Sequence, residues 1–272
     1  MNLVITGGTS GIGFETVKSL YPSFSKIILP VRNLEKAQNL ISQFKEPEKF
    51  HCIKMDLSSI KSVDEAGKII SETYPKIDLL INNAGGMFPG NKITEEGLDW
   101  TFAVNHLGHF HLTNLLLPNI TKGKIIFLSS EVHRIGKLNP KDIGLINSKN
   151  SWSKYGSSKF YNILNSNYLD SFQNSNEIGF YSLHPGAVRT SFGSESDILS
   201  KTIISLSKLF FISPKKGAET TVFLAKTPSD KLQSGAYYKN KKPIRPIKDS
   251  EDLQLQKQLY DFSLMKVKEI LS

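Results

Sequence analysis

The chain has 272 residues, 39% hydrophobic and 22% charged, a balance ordinary for a soluble globular protein that buries a large core without staples. The formal charge of +9 could attract nucleic acid, anionic lipid or a phosphorylated ligand, but Lys is scattered and clusters only at Lys215-Lys216 and from Lys239 to Lys242, so it reads as a solvated surface and no nucleic-acid partner is expected. One cysteine, Cys52, excludes an intramolecular disulfide and fits a reducing compartment; lying in a short apolar stretch, it reads as a buried structural thiol rather than a nucleophile.

Taken in chain order, short apolar runs alternate with longer segments of helical period. The first run, Asn2 to Thr6, starts almost at the N-terminus, with no basic region and long apolar stretch before it, so no signal peptide is expected. Further strands are predicted at Lys26 to Val31, Phe50 to Met55, Ile77 to Ile81, Lys124 to Ser129, Ile178 to His184 and Ala236 to Tyr238. Helices are predicted at Gly13 to Leu20, Leu34 to Phe44 (with Asn33 as N-cap), Ile60 to Tyr74, Glu95 to Leu117, Lys154 to Phe172, Pro214 to Ala225 and Asp252 to Ile270. Several strands are nearly continuous in apolar residues, as a parallel strand covered on both faces requires. The alternation predicts an α/β fold with a doubly wound parallel sheet, Rossmann-like, of about seven strands. No linker divides it, so residues 1–272 read as a single domain. No apolar run is long enough to span a membrane, and a cytoplasmic location is expected.

TGGTSGIG, Thr6 to Gly13, follows the first strand and runs into a helix. A Gly-rich string alone is weak evidence, but strand, tight turn and helix form the context of a dinucleotide site. Glycine lets the backbone approach a pyrophosphate, and the helix start presents unpaired N–H groups to it. The glycines are Gly7, Gly11 and Gly13, a GxxxGxG spacing. Five more motifs follow in order: NNAG at Asn82 to Gly85, VNHLGHF around Asn105, the pair Ser129-Ser130, YGSSK from Tyr155 to Lys159, and HPGAVRT from His184 to Thr190. Together they resemble the short-chain dehydrogenase/reductase family over positions 1 to about 190. The 24-residue gap between Ser130 and Tyr155, with SPKKGAET at Ser213 to Thr220 and SGAYY at Ser234 to Tyr238, resembles the retinol dehydrogenase and carbonyl reductase branch.

The resemblance implies a nicotinamide-dependent oxidoreductase with Asn105, Ser130, Tyr155 and Lys159 as its catalytic group. Tyr155 and Lys159, four apart on a helix, share one face. The ammonium, with an oxidised nicotinamide, is expected to lower the phenol's pKa so that it exchanges a proton with an alcohol or carbonyl oxygen. Ser130 hydrogen-bonds that oxygen. By resemblance Asn105 holds a water near Lys159, and Lys159 also binds the nicotinamide ribose. The implied cofactor residues are Thr6, Gly7, Thr9, Ser10, Gly11, Ile12 and Gly13 in the turn, Arg32 and Asn33, Asp56 and Leu57, then Asn83, Ala84 and Gly85, Tyr155 and Lys159, and finally Pro185, Gly186, Val188 and Thr190. The end of the second strand, Pro30 to Asn33, has no carboxylate for a ribose 2′-hydroxyl, whereas Arg32 suits a 2′-phosphate. NADP(H) is therefore expected over NAD(H).

The expected reaction is carbonyl–alcohol interconversion on an apolar small molecule. Reduction of a carbon–carbon double bond and a non-catalytic NADP(H) sensor are the alternatives. His133 stands alone, and His106, His109 and His111 lack a carboxylate partner at metal-ligand spacing, so no metal is expected. The Ile198 to Ile212 stretch reads first as an amphipathic lid over an apolar substrate, with a membrane-surface contact as the rival and a plain dimer or core helix as the third reading, and a homo-oligomer is an expectation by analogy alone.

Overall fold

A computed structural model describes residues 1–172, 177–186 and 212–272. Val188, Thr190 and nearly all of the Ile198 to Ile212 stretch lie outside them.

One eight-stranded sheet organises the chain. Its strands are β1 (Asn2–Ile5), β2 (Lys26–Val31), β3 (Phe50–Lys54), β4 (Leu79–Asn82), β5 (Gly123–Leu128), β6 (Ile178–His184), β7 (Tyr237–Lys239) and β8 (Lys242–Ile244), in the spatial order β3-β2-β1-β4-β5-β6-β7-β8. The first seven are parallel, and β8 pairs antiparallel to β7. The main helices are α1 (Gly11–Leu20), α2 (Leu34–Ile41), α3 (Ile60–Thr73), α4 (Trp100–Phe102), α5 (Gly108–Leu116), α6 (Ser151–Phe172), α7 (Pro214–Lys226) and α8 (Leu253–Leu271).

Helices cover both faces of the sheet, and the alternation of the strands explains how. Leu3 and Ile5 of β1 join a core with Val17 and Leu20 of α1 and Leu224 of α7. Val4 points the other way, to Val63 and Ile70 of α3 and Leu112 of α5. Every side chain of such a strand is buried, each fully buried Leu, Ile or Val stabilising by about 1.5–3 kcal/mol, which is why the sequence reads as an unbroken apolar run. A third core packs α8 onto α6 through Leu259 and Val267, against Phe160 and Leu164.

The expected doubly wound sheet is present, with eight strands rather than seven. The extra one, β8, is a strand of three residues at the edge of the sheet. It returns through Asn240 and Lys241, both at positive φ (51° and 66°), the backbone of a two-residue hairpin. The helix expected from Glu95 starts instead at Trp100. Gly97 turns the chain at φ 76°, the Leu98 N–H donates to Thr94, and Asp99 caps α4 by accepting from the N–H groups of Thr101 and Phe102. α6 begins at Ser151, three residues before expectation, because the Asn150 side chain accepts from the Ser153 N–H. Asn33 caps α2, accepting from Lys36 N–H at 2.8 Å.

The order of winding reverses between β1 and β4. Connections from these two strands leave to opposite faces and open a crevice at the carboxyl ends, where doubly wound sheets bind ligands.

Candidate active site

That crevice is a cleft of about 690 Å³. The turn between β1 and α1 forms its floor. Gly13 packs so closely that a Cβ there would stand 2.1 Å from the Gly7 carbonyl oxygen. Ser10 precedes α1 without capping it through its side chain, and the first turn carries no acidic residue, so the N–H groups of the helix start face the cleft and suit an anion. Thr6, Gly7, Thr9, Ser10, Gly11, Ile12 and Gly13 all line it.

The Thr6 hydroxyl accepts from the N–H groups of Asn83 and Ala84, each at 3.0 Å, and lies 2.9 Å from His109 Nε2. With both accepted protons coming from backbone amides, its own proton goes to Nε2. His109 is then a neutral imidazole with Nδ1–H directed at the Asn105 carbonyl, 3.4 Å away. Burial, then the nearby Lys159 charge, holds His109 down at about pKa 3, in keeping with that form. Asn83 returns a side-chain N–H to the Thr6 carbonyl at 2.8 Å.

Asn105 lies in a π-helical turn, Ala103–Leu107, between α4 and α5. Such bulges often mark functional sites. Its amide pairs with Gly86 in both directions at 2.9 Å and donates to the Ser158 hydroxyl at 3.0 Å. The side chain is thus a clamp on the Asn83–Gly86 loop. A Cβ on Gly85 would come within 2.6 Å of Asn105 Oδ1 and 3.3 Å of Lys159 Nζ, so only glycine lets the loop pass this close.

Tyr155 and Lys159 enter the cleft from α6. Lys159 Nζ donates to the Leu128 carbonyl at 3.1 Å and stands 5.5 Å from the Tyr155 ring centre. Burial lowers the Lys159 pKa to about 8. Burial pushes the Tyr155 phenol up, and its hydrogen bond with Ser130 pulls the other way. Desolvation of the phenolate thus acts against the acidification expected from the amine and an oxidised nicotinamide together. Ser130 also accepts from the Val132 N–H, capping a short helical turn over Glu131–Ile135. Ser129 also lines the cleft, its hydroxyl donating to the Lys159 carbonyl at 2.7 Å.

Arg32, Asn33, Asp56 and Leu57 line the far end of the cleft, and Asn83, Ala84, Gly85 and Pro185 line its length. Gly186 adjoins Pro185 but does not line it. Asp56 is oriented by Ser58, whose N–H and hydroxyl reach one carboxylate oxygen at 2.9 and 2.7 Å. Sequence reasoning missed Lys36, Met87, Phe88, Trp100 and Val104. Lys36 was within reach, one helical turn after Arg32. The others carry no motif.

The histidines are spent separately. His106 bonds Ser263 at 2.9 Å and His111 bonds Asp64 at 3.0 Å. His133 Nδ1 lies 2.6 Å from the Ser130 carbonyl, and its Nε2 accepts from the Ile247 N–H. Among the described residues no three His, Cys, Asp or Glu side chains group as a metal site, and no helix is long and apolar enough to cross a membrane.

Next to Tyr155, Lys154 is wholly buried and reaches Asp99 at 2.5 Å and Asn91 at 3.2 Å. Burial raises the Asp99 pKa, and its hydrogen bond with Lys154 opposes the rise. The pair ties the loop before α4 to the start of α6.

The family model for short chain dehydrogenases matches residues 1–198, and the chain belongs to that family. It is 32% identical to the chloroplastic short-chain dehydrogenase TIC 32 B of Brassica napus over 283 residues, 98% of this chain and 88% of that protein. It is 32% identical to human retinol dehydrogenase 14 over 290 residues, 97% of this chain and 85% of that one. A crystal structure of a Mycobacterium Paratuberculosis protein superposes with a TM-score of 0.79 at 25% identity, covering 98% of this chain and 93% of that one. The chain is an oxidoreductase of the retinol dehydrogenase-like kind.

Replacing Lys154 by Met strands the Asp99 carboxylate in the interior. The variant should lose about 3–5 kcal/mol of stability, read as a lowered urea midpoint at unchanged slope.

Proposed function

We propose that this protein reduces the carbonyl group of an apolar aldehyde or ketone with NADPH, using Tyr155, Lys159, Ser130 and Asn105. The observation that carries the reading is the buried Tyr155 phenol, hydrogen-bonded to Ser130 and one helical turn from Lys159, in the cleft formed by the glycine turn. A dinucleotide held by the glycine turn would supply the hydride for the carbonyl carbon. The chain's own residues manage the oxygen. Ser130 donates to it and fixes its position. Tyr155, kept protonated at neutral pH by burial, gives it the phenolic proton as negative charge builds. Lys159 stabilises the phenolate left behind, at the moment when that charge is most costly in a dry site. Asn105 acts by holding Gly85 and Gly86 against Lys159, a positioning role beside the water contact that resemblance implied.

Preference for the 2′-phosphorylated cofactor rests on charge. Arg32 and Lys36 line the cleft where β2 ends and α2 begins, and no carboxylate accompanies them at the end of β2. A guanidinium fork grips a phosphate and repels nothing there, whereas a ribose hydroxyl offers it little. The glycine turn, Asp56, Leu57 and Asn83 to Gly85 complete the binding surface, with Pro185 and Gly186 at the nicotinamide end and Val188 and Thr190 beyond them in the chain.

Tyr155→Phe removes the proton donor and should cut aldehyde-dependent NADPH oxidation by at least about 100-fold. NADPH binding should persist. Near-normal turnover in that variant would falsify the assignment, and tight NADPH binding without turnover of any aldehyde or ketone by the wild type would turn the protein into a sensor. Because the Lys159 ammonium is the charged form below about pH 8, reductive kcat/KM should fall as pH rises through that value. Lys159→Arg, which keeps its charge, should move this limb up by more than one pH unit in whatever turnover remains. Arg32→Asp should invert the ratio of kcat/KM for NADPH over NADH, and an unmoved ratio refutes the phosphate contact.

A further inference from the structure

One wall of the cleft belongs neither to the glycine turn nor to the Tyr155 group. Met87, Phe88 and Trp100 form it, on the segment between β4 and the start of α4. Its place along the cleft follows from the glycines beside it. A Cβ on Gly85 would stand 3.3 Å from Lys159 Nζ, and one on Gly86 would stand 3.4 Å from the Phe88 ring. Phe88 therefore lies at the Lys159 end, away from Arg32 and Asp56.

Met87 is buried, whereas the Phe88 and Trp100 rings of this wall are only half-buried and line the cleft. Trp100 meets Phe88 edge to face, with ring centres 6.4 Å apart at 67°. Lys92 Nζ sits 4.3 Å from the Trp100 ring centre and occupies one face of the indole. Both ends of the segment are anchored. Asn105 clamps Gly86, and Asp99, which immediately precedes Trp100, is gripped by Lys154, the residue before Tyr155. The aromatic faces are thus held in fixed relation to the phenol. Rigid aromatic side chains give large apolar contact at small entropic cost, and stacking on them rewards flat partners more than flexible ones.

We infer that Phe88 and Trp100 determine specificity, selecting flat, ring-bearing aldehydes and ketones over short linear ones. The inference rests on the carbonyl-reductase reading above, and the experiment separates the two. The full chain with NADPH is assayed on two aldehydes, 2-naphthaldehyde and propanal, which share the reacting group and differ in the ring system. The wild type should favour the naphthyl compound in kcat/KM. Trp100→Ala should lower the naphthyl-to-propanal ratio about tenfold, equivalent to about 1.4 kcal/mol, mainly through KM for the naphthyl compound. Trp100→Leu, which keeps apolar bulk but loses the flat face, should lower it several-fold. NADPH titration reports whether each variant still forms its site, and if Trp100→Ala does not, Trp100→Leu and Phe88→Leu decide. A wild type that reduces propanal without preferring the ring, or a ratio unmoved in every variant that binds NADPH, overturns the inference and leaves the reductase reading standing. A wild type that binds NADPH and reduces neither aldehyde overturns both.

Discussion

The Thr6 hydroxyl holds the point where the sheet reverses its winding. Two backbone N–H groups from the end of β4 converge on it, and its proton passes to His109 on α5. In a buried setting each of these polar groups is expensive to leave unpaired, so the network forms whole or the junction loosens. From that knot the rest is positioned outward. The glycine turn leaves β1 directly after Thr6. Asn83 and Ala84 start the loop that passes Lys159. The His109 ring reaches the Asn105 carbonyl, and Asn105 in turn grips Gly86. The glycine turn and the loop past Lys159 are therefore connected through three side chains, those of Thr6, His109 and Asn105.

Burial does the second part of the work, and it acts on charges. It holds the Tyr155 phenol in its protonated form and brings the Lys159 ammonium within reach of neutrality. The nearby cation stabilises the phenolate that forms once the proton has left, and the reading in the direction of reduction rests on the proposed preference for NADPH. Burial elsewhere serves architecture: the Lys154–Asp99 pair spends two charges in the interior to join the catalytic helix to the loop before α4. Such a pair contributes little net stability against a well-packed apolar alternative, but it fixes one arrangement and penalises others.

What was legible in the sequence was local. Seven strands show as apolar runs because both faces of the sheet are covered, and Asn33 as a cap because its side chain reaches three residues ahead. β8 was hidden by its brevity, since a strand of three residues shows no period. The helical period before Trp100 misled because apolar spacing continues through a turn that Gly97 and Asp99 impose. The burial that opposes ionisation of Tyr155 was not legible, because Lys159 shows as a spacing of four while desolvation depends on everything packed around α6.

The sequence alone determined the class of fold, the family, and the identity of the turn, the Tyr155–Lys159 pair and the basic end of β2, because each is written in residues a few positions apart whose chemistry does not depend on distant partners. The tertiary structure alone decided what Asn105 holds, that Lys154 meets Asp99 across 55 positions, and that Phe88 and Trp100 share a wall with the phenol. Those relations arise where separate elements converge at the carboxyl ends of parallel strands, and no periodicity within one segment encodes a contact with another.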